Sequence, residues 1–426
     1  MRPDDIDAAL GSAGFHQDPY PVYRALRDER PAFWSNALQA WVVTRLNDVV
    51  TLIRDHERLS SEGRLVAVLD RVPEDQRELV APMRDHFAIP GLIHSDPPGH
   101  NRLRGLISQA FSARVIEGLR PRIVEIVDDL LAGAEERASI DLLDVLAYPL
   151  PAIVIAELFG APAGDRGLFK AWSDEIVAFQ GSGEAKVAAL TRSRDGLLAM
   201  RAYLDALIEE RRRRPSDDLL GLLVAAEQAG DRLTADEMLS TCVTFLIAGH
   251  ETTTSLIANG VVTLLRNPGE LQRLRADTSL MESAIEECLR YESPIQRVFR
   301  LAVADVDVRG ETIRAGQTVL LMLGAANRDP EVFRDPDVFD ITRAPNRHVA
   351  FGTGIHYCLG APLARLEASI ALPAALNRWP ELRLADEETR WQSEKGLFRC
   401  PEALRLDLPA SRPDHLPPQR LGEREG

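Results

Sequence analysis

Residues 351–360 of this chain read FGTGIHYCLG, and the next four residues, APLA, begin an apolar helical pattern. The three glycines allow the backbone of this segment to fold close against something flat. Cys358 stands just before the predicted helix, and Pro362 suits a first-turn position, so the sulfur should lie beside the positive end of the helix dipole. This placement favours a thiolate over a thiol and prepares the sulfur to bind a soft metal ion.

A zinc site is not indicated at this cysteine. His356 is two residues away, but the chain contains no Cys-x-x-Cys pair and no His-x-x-x-His pair. A single thiolate therefore points to a metal that another set of ligands already holds. A buried, inert cysteine in a glycine-rich turn is the ordinary alternative for a lone cysteine. The surrounding glycines and His356 argue against that alternative.

The composition is that of a globular protein. The chain has 426 residues, of which 45% are hydrophobic and 27% charged, so it can bury a large core. The four cysteines show no disulfide-framework spacing, and the N-terminal residues contain no apolar signal or anchor run, which together favour a cytoplasmic protein. A net charge of -15 works against nonspecific binding to nucleic acid or to an anionic membrane, so we expect neither partner.

Helical periodicity dominates the chain and predicts a mainly α fold with a smaller β region. The clearest helical patterns cover residues 122–138, 188–213, 234–266, 280–290 and 361–378. Short strand signals occur at residues 40–44 and 318–323. Because no linker interrupts the middle, we expect residues 1–408 to form a single unit, followed by a flexible polar tail over residues 409–426.

The longest helical pattern begins at a capping box, residues 234–237, and ends at Asn-Pro-Gly, residues 267–269. About 30 residues at about 1.5 Å each would cross most of the molecule, so this helix should be central. Its midpoint, residues 248–254, reads AGHETTT, and Gly249 favours a local opening there. Glu251 beside Thr252 places an acid and an alcohol at that opening, as proton delivery to a bound ligand requires. The alternative is a threonine bonded to a preceding carbonyl and a simply paired glutamate.

Two further motifs combine charged groups at helical spacing. Glu287 and Arg290 lie one turn apart just before a helix end, where an ordinary structural ion pair is the alternative. His100 and Arg104 follow residues 96–99, DPPG, and share one helical face on which they could meet an anion together. An amphipathic helix start is the alternative there.

Together and in this order, these four segments resemble the cytochrome P450 family of haem-thiolate monooxygenases, in its soluble bacterial type. Residues 351–360 fit the family's cysteine-ligand loop at every defined position. The stretch from residue 325 to Arg343 also resembles the segment that precedes this loop in the family. The resemblance implies the cytochrome P450 fold, with haem b (iron protoporphyrin IX) between the long central helix and the cysteine loop.

The resemblance implies that Cys358 is the axial thiolate ligand of the haem iron, with the following backbone amides bonded to the sulfur. It also implies a set of cofactor-binding residues, of which the first four would bind the two haem propionates: His100, Arg104, Arg300, His356, Phe351, Gly352 and Gly360. Glu287 and Arg290, with Arg343, would form a buried network that holds the loop in place. Their implied role is structural.

Ala248, Gly249, Glu251 and Thr252 resemble the family's oxygen-binding groove, which implies that Thr252 stabilises the iron-bound hydroperoxide and that Glu251 relays protons. This favours activation of O2 over the peroxide-driven and nitric-oxide-reducing branches. The implied reaction is hydroxylation, or insertion of one oxygen atom, on a small organic molecule. Apolar residues in the segments that resemble substrate-contact loops predict a largely apolar substrate, although core packing is the alternative for each: Phe87, Phe179, Ile295, Val298 and Phe398.

Electrons must come from another protein, because the chain contains no Rossmann fingerprint and no flavin domain. We expect a ferredoxin or flavodoxin with its NAD(P)H-dependent reductase. Arg102, Arg114, Arg347 and Arg365 are candidates for a docking patch, with solvated surface arginines as the alternative.

Two other functions stay open: an oxidase that couples, desaturates or rearranges its substrate with the same haem, and a haem-binding sensor or carrier without turnover. The Glu251-Thr252 pair argues against the carrier, because ligand binding alone needs no proton relay.

Overall fold

The computed structural model describes residues 2–108, 111–181, 187–228, 233–379, 381–393 and 396–408. The predicted flexible tail, residues 409–426, lies outside the described residues.

Helices account for most of the described chain. In chain order they are α1 (Pro3–Leu10), α2 (Ala13–Gln17), α3 (Tyr20–Glu29), α4 (Leu46–Arg54), α5 (Arg64–Leu69), α6 (Arg77–Ala88), α7 (Gly99–Ile107), α8 (Ala113–Gly118), α9 (Arg120–Ala132), α10 (Pro149–Leu158), α11 (Arg166–Gly181), α12 (Val187–Arg213), α13 (Leu219–Gln228), α14 (Ala235–Arg266), α15 (Pro268–Ala276), α16 (Met281–Tyr291), α17 (Leu323–Ala326) and α18 (Ala361–Arg378). The predicted mainly α fold is confirmed. The five long helical predictions correspond to α9, α12, α14, α16 and α18, and the largest difference is at α9, which ends at Ala132, just before Gly133.

The strands are short. In chain order they are β1 (Ala32–Ser35), β2 (Ala40–Val43), β3 (Leu59–Ser60), β4 (Ser139–Asp141), β5 (Val298–Ala302), β6 (Val306–Val308), β7 (Glu311–Ile313), β8 (Thr318–Leu321), β9 (Arg383–Leu384) and β10 (Arg405–Asp407). They form a five-stranded sheet in the order β1-β2-β8-β5-β3, a three-stranded sheet in the order β4-β10-β9, and the hairpin β6-β7.

The five-stranded sheet joins the start of the chain to its later half. β2 runs parallel to β8, with Val42 opposite Leu320, while β5 runs antiparallel to β8, with Arg300 opposite Val319. Alternate residues point to opposite faces, so Val42 and Leu320 enter one apolar cluster and their neighbours enter another. Apolar packing on both faces holds β5, and with it Arg300, in a fixed position.

Helix α14 is the central element. It contains 32 residues, and α10, α11, α12, α16 and α18 pack against it. Its predicted capping box is present, because the Thr234 hydroxyl accepts from Glu237 N–H and the Glu237 carboxylate accepts from Thr234 N–H. The N-terminal half of α14 belongs to one large apolar cluster and the C-terminal half to another. Among the described helices, none combines the length and the apolar character needed to cross a membrane.

Gly249 does not open α14, which corrects the expectation of a local opening. The helix is continuous from Ala235 to Arg266. A Cβ atom added at Gly249 would lie 2.9 Å from Cδ1 of Ile155 in α10. The glycine therefore allows α10 and α14 to approach closely, and the helix keeps its regular hydrogen bonds.

Candidate active site

The cysteine loop, residues 351–360, turns at two glycines. Gly352 has a φ of 68° and Gly354 a φ of 70°, in the left-handed region that side chains rarely adopt. The Cys358 N–H donates to the Phe351 carbonyl at 3.0 Å and closes the loop. α18 begins at Ala361, directly after the loop. The sulfur therefore lies at the N-terminus of a long helix, as its sequence context predicts.

Cys358 differs from the other cysteines in its exposure. Its side chain is partly exposed, whereas Cys242, Cys288 and Cys400 are buried. In the part of the chain that the structure describes, no three His, Cys, Asp or Glu side chains are grouped so that they could hold a metal ion. The geometry thus agrees with Cys358 as a single protein ligand to a metal whose other ligands do not come from protein side chains.

Opposing influences act on the Cys358 sulfur. Burial raises the pKa of the thiol, and the N–H groups of Gly360 and Ala361 and the charges of Arg104 and Arg365 act in the opposite direction. Burial prevails in the protein alone. A metal cation at the sulfur would add a larger positive charge to these groups and stabilise the thiolate.

A group of basic side chains lies beside the loop, and we call it the basic cluster. Its members are Arg64, His94, His100, Arg104, Arg300 and His356. The rings of His100 and His356 are 4.4 Å apart, and Arg104 donates to the Tyr357 carbonyl at 2.7 Å. The structure therefore brings together all four residues that were predicted to bind the propionates.

The basic cluster carries more positive charge than its surroundings neutralise. Burial, followed by the charge of Arg300, lowers the pKa of Arg64 to about 10. Burial likewise lowers the pKa of Arg300 to about 10, although Asp96 opposes this shift. The pKa of His356 falls to about 3, first through burial and then through Arg300 and other cluster members. A bound anion would favour the charged forms of these buried groups and offset both effects.

The cluster fits the two carboxylates of haem. Nε2 of His100 is buried and has no hydrogen-bond partner in the described part of the chain. Nη1 of Arg300 donates to the Phe299 carbonyl, and Nε2 of His356 contacts the Ser61 hydroxyl at 3.1 Å. Buried carboxylates require charge-assisted partners, and the cluster offers several guanidinium and imidazole groups for this purpose.

Two members of the basic cluster, Arg64 and His94, are not predicted by any motif in the sequence. Arg64 begins the short helix α5, where a charged residue ordinarily indicates a solvated face. Its guanidinium instead lies 4.3 Å from the ring centroid of Phe299 in β5. His94 precedes the DPPG segment, and its nearness to His100 in sequence is a weak signal that could have indicated it.

The middle of α14 presents one open face. Ala248 is exposed and Thr252 is partly exposed, one turn apart on the same side of the helix. The Thr252 hydroxyl donates to the Ala248 carbonyl at 3.1 Å, and Glu251 is buried. Leu359 of the cysteine loop packs against the apolar cluster that contains Leu246 of α14. The cysteine loop and the N-terminal half of α14 therefore contribute to the same apolar cluster.

The predicted network around Glu287 is assembled. Glu287 and Arg290 are fully buried, and the carboxylate accepts from Nε and Nη2 of Arg290 at 2.8 Å each. Arg343 donates to the same carboxylate at 3.1 Å. Two donors that were not predicted complete its coordination, namely Asn346 Nδ2 at 3.1 Å and Asp340 N–H at 2.9 Å.

Asn327 connects this network to the cysteine loop. Its carbonyl accepts from Arg290 at 3.0 Å, and its side-chain oxygen accepts from Val349 N–H at 2.7 Å. Val349 lies two residues before Phe351, where the loop begins. The buried ion pair therefore fixes the entry of the loop through one asparagine.

The four candidate docking arginines differ in their partners. Arg365 binds Glu286 at 2.6 and 2.8 Å and lies over the Phe351 ring at 4.5 Å. Arg102 pairs with Glu237. Arg114 and Arg347 are exposed and form no ion pair within the described ranges.

Comparisons with known proteins identify relatives over nearly the whole chain. A family model described as Cytochrome P450 matches residues 70–404. Cytochrome P450 107B1 of Saccharopolyspora erythraea is 42% identical over 398 residues, which cover 91% of this chain and 95% of that protein. The vitamin D(3) 25-hydroxylase of Pseudonocardia autotrophica is 42% identical over 402 residues, covering 92% of this chain and 95% of that one. The solved structure of P450BioI, bound to an acyl carrier protein ligated to hexadec-9Z-enoic acid, matches with a TM-score of 0.85 at 38% identity, covering 93% of this chain and 100% of the other.

Proposed function

This chain belongs to the cytochrome P450 family of haem-containing monooxygenases, and from that premise we propose that Cys358 is the thiolate ligand of its haem b. The observation that carries this assignment is the position of Cys358, a partly exposed residue directly before the N-terminus of α18. When bound, a haem with a thiolate ligand activates O2 with electrons from a redox partner and inserts one oxygen atom into an organic substrate.

We assign the basic cluster to the haem propionates, with Arg64 and His94 added to the four predicted residues. Nε2 of His100 is buried and without a partner among the described residues, and Arg300 projects from a strand fixed on both faces. Phe351, Gly352 and Gly360 shape the loop that approaches the cofactor. Glu287, Arg290 and Arg343 position that loop and take no part in the chemistry.

Glu251 supplies protons at the open face of α14, and Thr252 holds the protonated ligand there. The Thr252 hydroxyl already donates its hydrogen to the Ala248 carbonyl, so its oxygen is left as an acceptor toward a protonated ligand above the helix. Glu251 is buried one residue earlier and is the acid of the pair. Ala248 keeps this face of the helix free of bulky side chains, while Gly249 allows α10 to pack closely beside it.

The electron donor, in our proposal, is a ferredoxin or flavodoxin that docks on the side of Cys358. Among the candidate arginines, Arg114 and Arg347 are exposed and available, whereas Arg365 holds Glu286. In an Arg347→Glu variant, reduction of the haem iron by the donor protein should be lost at low salt. Arg365→Glu is a poor test, because it also disturbs the network around the loop. Unchanged reduction of both Arg114→Glu and Arg347→Glu at low salt would remove the docking assignment.

We propose a largely apolar substrate, held between the open face of α14 and two other segments. Ile295 and Val298 are partly exposed, and Ile295 pairs through its backbone with Phe398. Phe87 is buried in an apolar cluster. The side chain of Phe179 lies outside the described residues. A screen for the change in haem spin state should respond to apolar compounds and not to their carboxylated analogues.

Residues 1–408 act, in our proposal, as one cytoplasmic catalytic unit. The support is the low cysteine content without disulfide spacing and the apolar clusters that join helices from distant parts of the chain.

One spectrum and one product measurement test this function. The reduced carbon monoxide complex should show the red-shifted band typical of a thiolate ligand, and Cys358→Ser should lose it while the matched control Cys242→Ser keeps it. Turnover under labelled O2 with NADH, a ferredoxin and its reductase should place one labelled atom in the product. Consumption of NADH without label in the product would indicate the coupling or desaturating oxidase, and no consumption would indicate the carrier.

A further inference from the structure

Arg297, directly before β5, has a buried guanidinium group without a hydrogen-bond partner. The residue is only 6% exposed, and its Nε atom is buried. In the part of the chain that the structure describes, none of its N–H groups donates a hydrogen bond, and it forms no ion pair. A guanidinium that is taken out of water destabilises the fold strongly unless other acceptors replace the lost water. The arrangement therefore points to an acceptor that the described residues do not supply.

Aromatic side chains lie around Arg297. Its guanidinium carbon is 5.8 Å from the centre of the Phe299 ring. Burial lowers the pKa of Arg297, and Tyr23 of α3 is close enough to oppose this shift. The Tyr23 hydroxyl donates to the Gln296 side chain at 3.0 Å, and the Phe15 ring of α2 meets the Tyr23 ring edge-on at 5.5 Å. Arg297 thus brings one positive charge to an apolar place.

A second arginine of this region, Arg399, has the partners that Arg297 lacks. Arg399 forms a buried ion pair with the Glu292 carboxylate and donates to the His16 carbonyl at 2.9 Å. Its guanidinium carbon also lies 3.8 Å from the centre of the Trp391 ring. The region therefore satisfies one buried arginine with a carboxylate, and the same group would complete the surroundings of Arg297.

His16 of α2 adds an uncharged hydrogen-bonding group beside Arg297. Burial, followed by the charges of Arg297 and Arg399, lowers the pKa of its imidazole, so the ring is neutral near pH 7. The residue is partly exposed, and its ring forms no hydrogen bond within the described ranges. One guanidinium charge beside a neutral ring matches a single negative charge, which favours a carboxylate over a phosphate.

This place is separate from the basic cluster that we assign to the haem propionates. Arg64 of that cluster lies 4.3 Å from the centre of the Phe299 ring, and the charge of Arg300 lowers its pKa after burial. Arg297 contacts the same ring, but Arg300 does not contribute to the pKa shift of Arg297. Arg297 is therefore not a further partner of the propionates.

We propose that Arg297 and His16 bind a small organic monocarboxylate other than the substrate, at a site between β5 and the helices α2 and α3. The carboxylate accepts two parallel hydrogen bonds from the guanidinium and one from the imidazole N–H. The apolar part of the ligand packs against the rings of Phe299 and Phe15. By joining α2 to β5, the ligand fastens the N-terminal helices to the five-stranded sheet.

Titration calorimetry of the haem-loaded protein with sodium hexanoate or sodium benzoate tests this site. At least one of the two acids should show saturable binding, whereas hexanol, and sodium chloride at the same ionic strength, should not. Arg297→Leu should weaken this binding about 10- to 100-fold, because hydrogen bonds to a charged group are lost. The spin state of the haem should not change. Absence of saturable binding of both acids, or an unaltered affinity in Arg297→Leu, would overturn the proposal. A spin-state change that Arg297→Leu abolishes would place the carboxylate on the substrate and overturn a separate site.

Thermal unfolding separates a ligand site from a structural arginine. Without ligand, Arg297→Leu should melt no lower than the unmodified protein, because the substitution removes a buried charge that has no partner. The matched control Arg399→Leu should melt lower, because Glu292 then loses its counterion. The bound acid should raise the melting temperature of the unmodified protein and leave that of Arg297→Leu unchanged. A clear loss of stability in ligand-free Arg297→Leu would show that the arginine serves the fold itself and would overturn the proposal.

Discussion

Replacing Glu287 with alanine is expected to prevent haem incorporation, although this residue does not contact the cofactor in our account. Its carboxylate is fully buried and accepts hydrogen bonds from Arg290, Arg343, Asn346 and the backbone of Asp340. The substitution leaves the Arg290 guanidinium buried with carbonyl partners but without its counterion. It also releases the segment that leads into the cysteine loop.

The size of the effect follows from this burial. Removing one partner of a buried ion pair costs about 3–5 kcal/mol, which is about a fifth or more of the total stability of about 5–15 kcal/mol that is typical of a folded protein. The unfolding entropy of about 2.1 cal/mol/K per residue, summed over 426 residues, lowers the melting temperature by about 1 °C for each kcal/mol lost, so it should fall by about 3–6 °C. The control Glu282→Ala, an exposed glutamate in the same helix, should change the unfolding free energy by no more than about 0.5 kcal/mol.

Haem content per chain and thermal unfolding by circular dichroism measure both effects on the same samples. Glu287→Ala should retain helical structure at low temperature, melt earlier and carry little haem, and Glu287→Gln should fall between it and the unmodified protein. A Glu287→Ala protein with full haem content and an unchanged melting temperature would refute the reasoning.

Three further predictions address the open face, the basic cluster and the surface of the loop. Thr252→Ala should still be reduced and bind oxygen but should release more hydrogen peroxide per NADH, because it lacks the acceptor oxygen; an unchanged ratio would contradict the role of Thr252. Arg64→Leu should lower haem affinity about 10- to 100-fold, since a hydrogen bond to a charged group contributes about 1.5–3 kcal/mol. The rate of haem transfer to an apoprotein measures this affinity, and an unaltered rate would exclude Arg64 from the site. Burial alone would raise the pKa of Glu286, but hydrogen bonds from Arg365 and His348 lower it from 4.5 to about 2. Because the pKa of Glu286 is depressed in the folded protein, its ionised carboxylate stabilises the fold fully above pH 4.5, and this stabilisation is lost as the pH falls toward 2. The difference in urea midpoint between Glu286→Gln and the unmodified protein should therefore narrow over this pH range. A constant difference would show that Glu286 is not charged in the fold.

Motifs that act within about ten residues were predictable from the sequence. The cysteine loop, the capping box at Thr234 and the pairing of Glu287 with Arg290 depend on local spacing and helical geometry, which the sequence displays directly. The strands β2 and β8 were likewise predicted from their apolar runs. Their parallel pairing was not, because it joins residues that are far apart in the chain.

The remaining features depend on tertiary packing. Arg64 reaches the cofactor side only because α5 packs beside β5, and Asn346 reaches Glu287 only after the loop has folded back. Gly249 was misinterpreted for a related reason. Its sequence context does not reveal that Ile155 of α10 lies against it, so a residue that permits close packing was interpreted as a helix opening.

X-ray absorption at the iron edge of the purified haem-loaded protein tests the central claim most directly. We predict one sulfur atom in the coordination shell of the iron, and loss of that sulfur in Cys358→Ser but not in Cys242→Ser. An iron coordinated only by nitrogen and oxygen in the unmodified protein, or a sulfur that persists in Cys358→Ser, would contradict the claim.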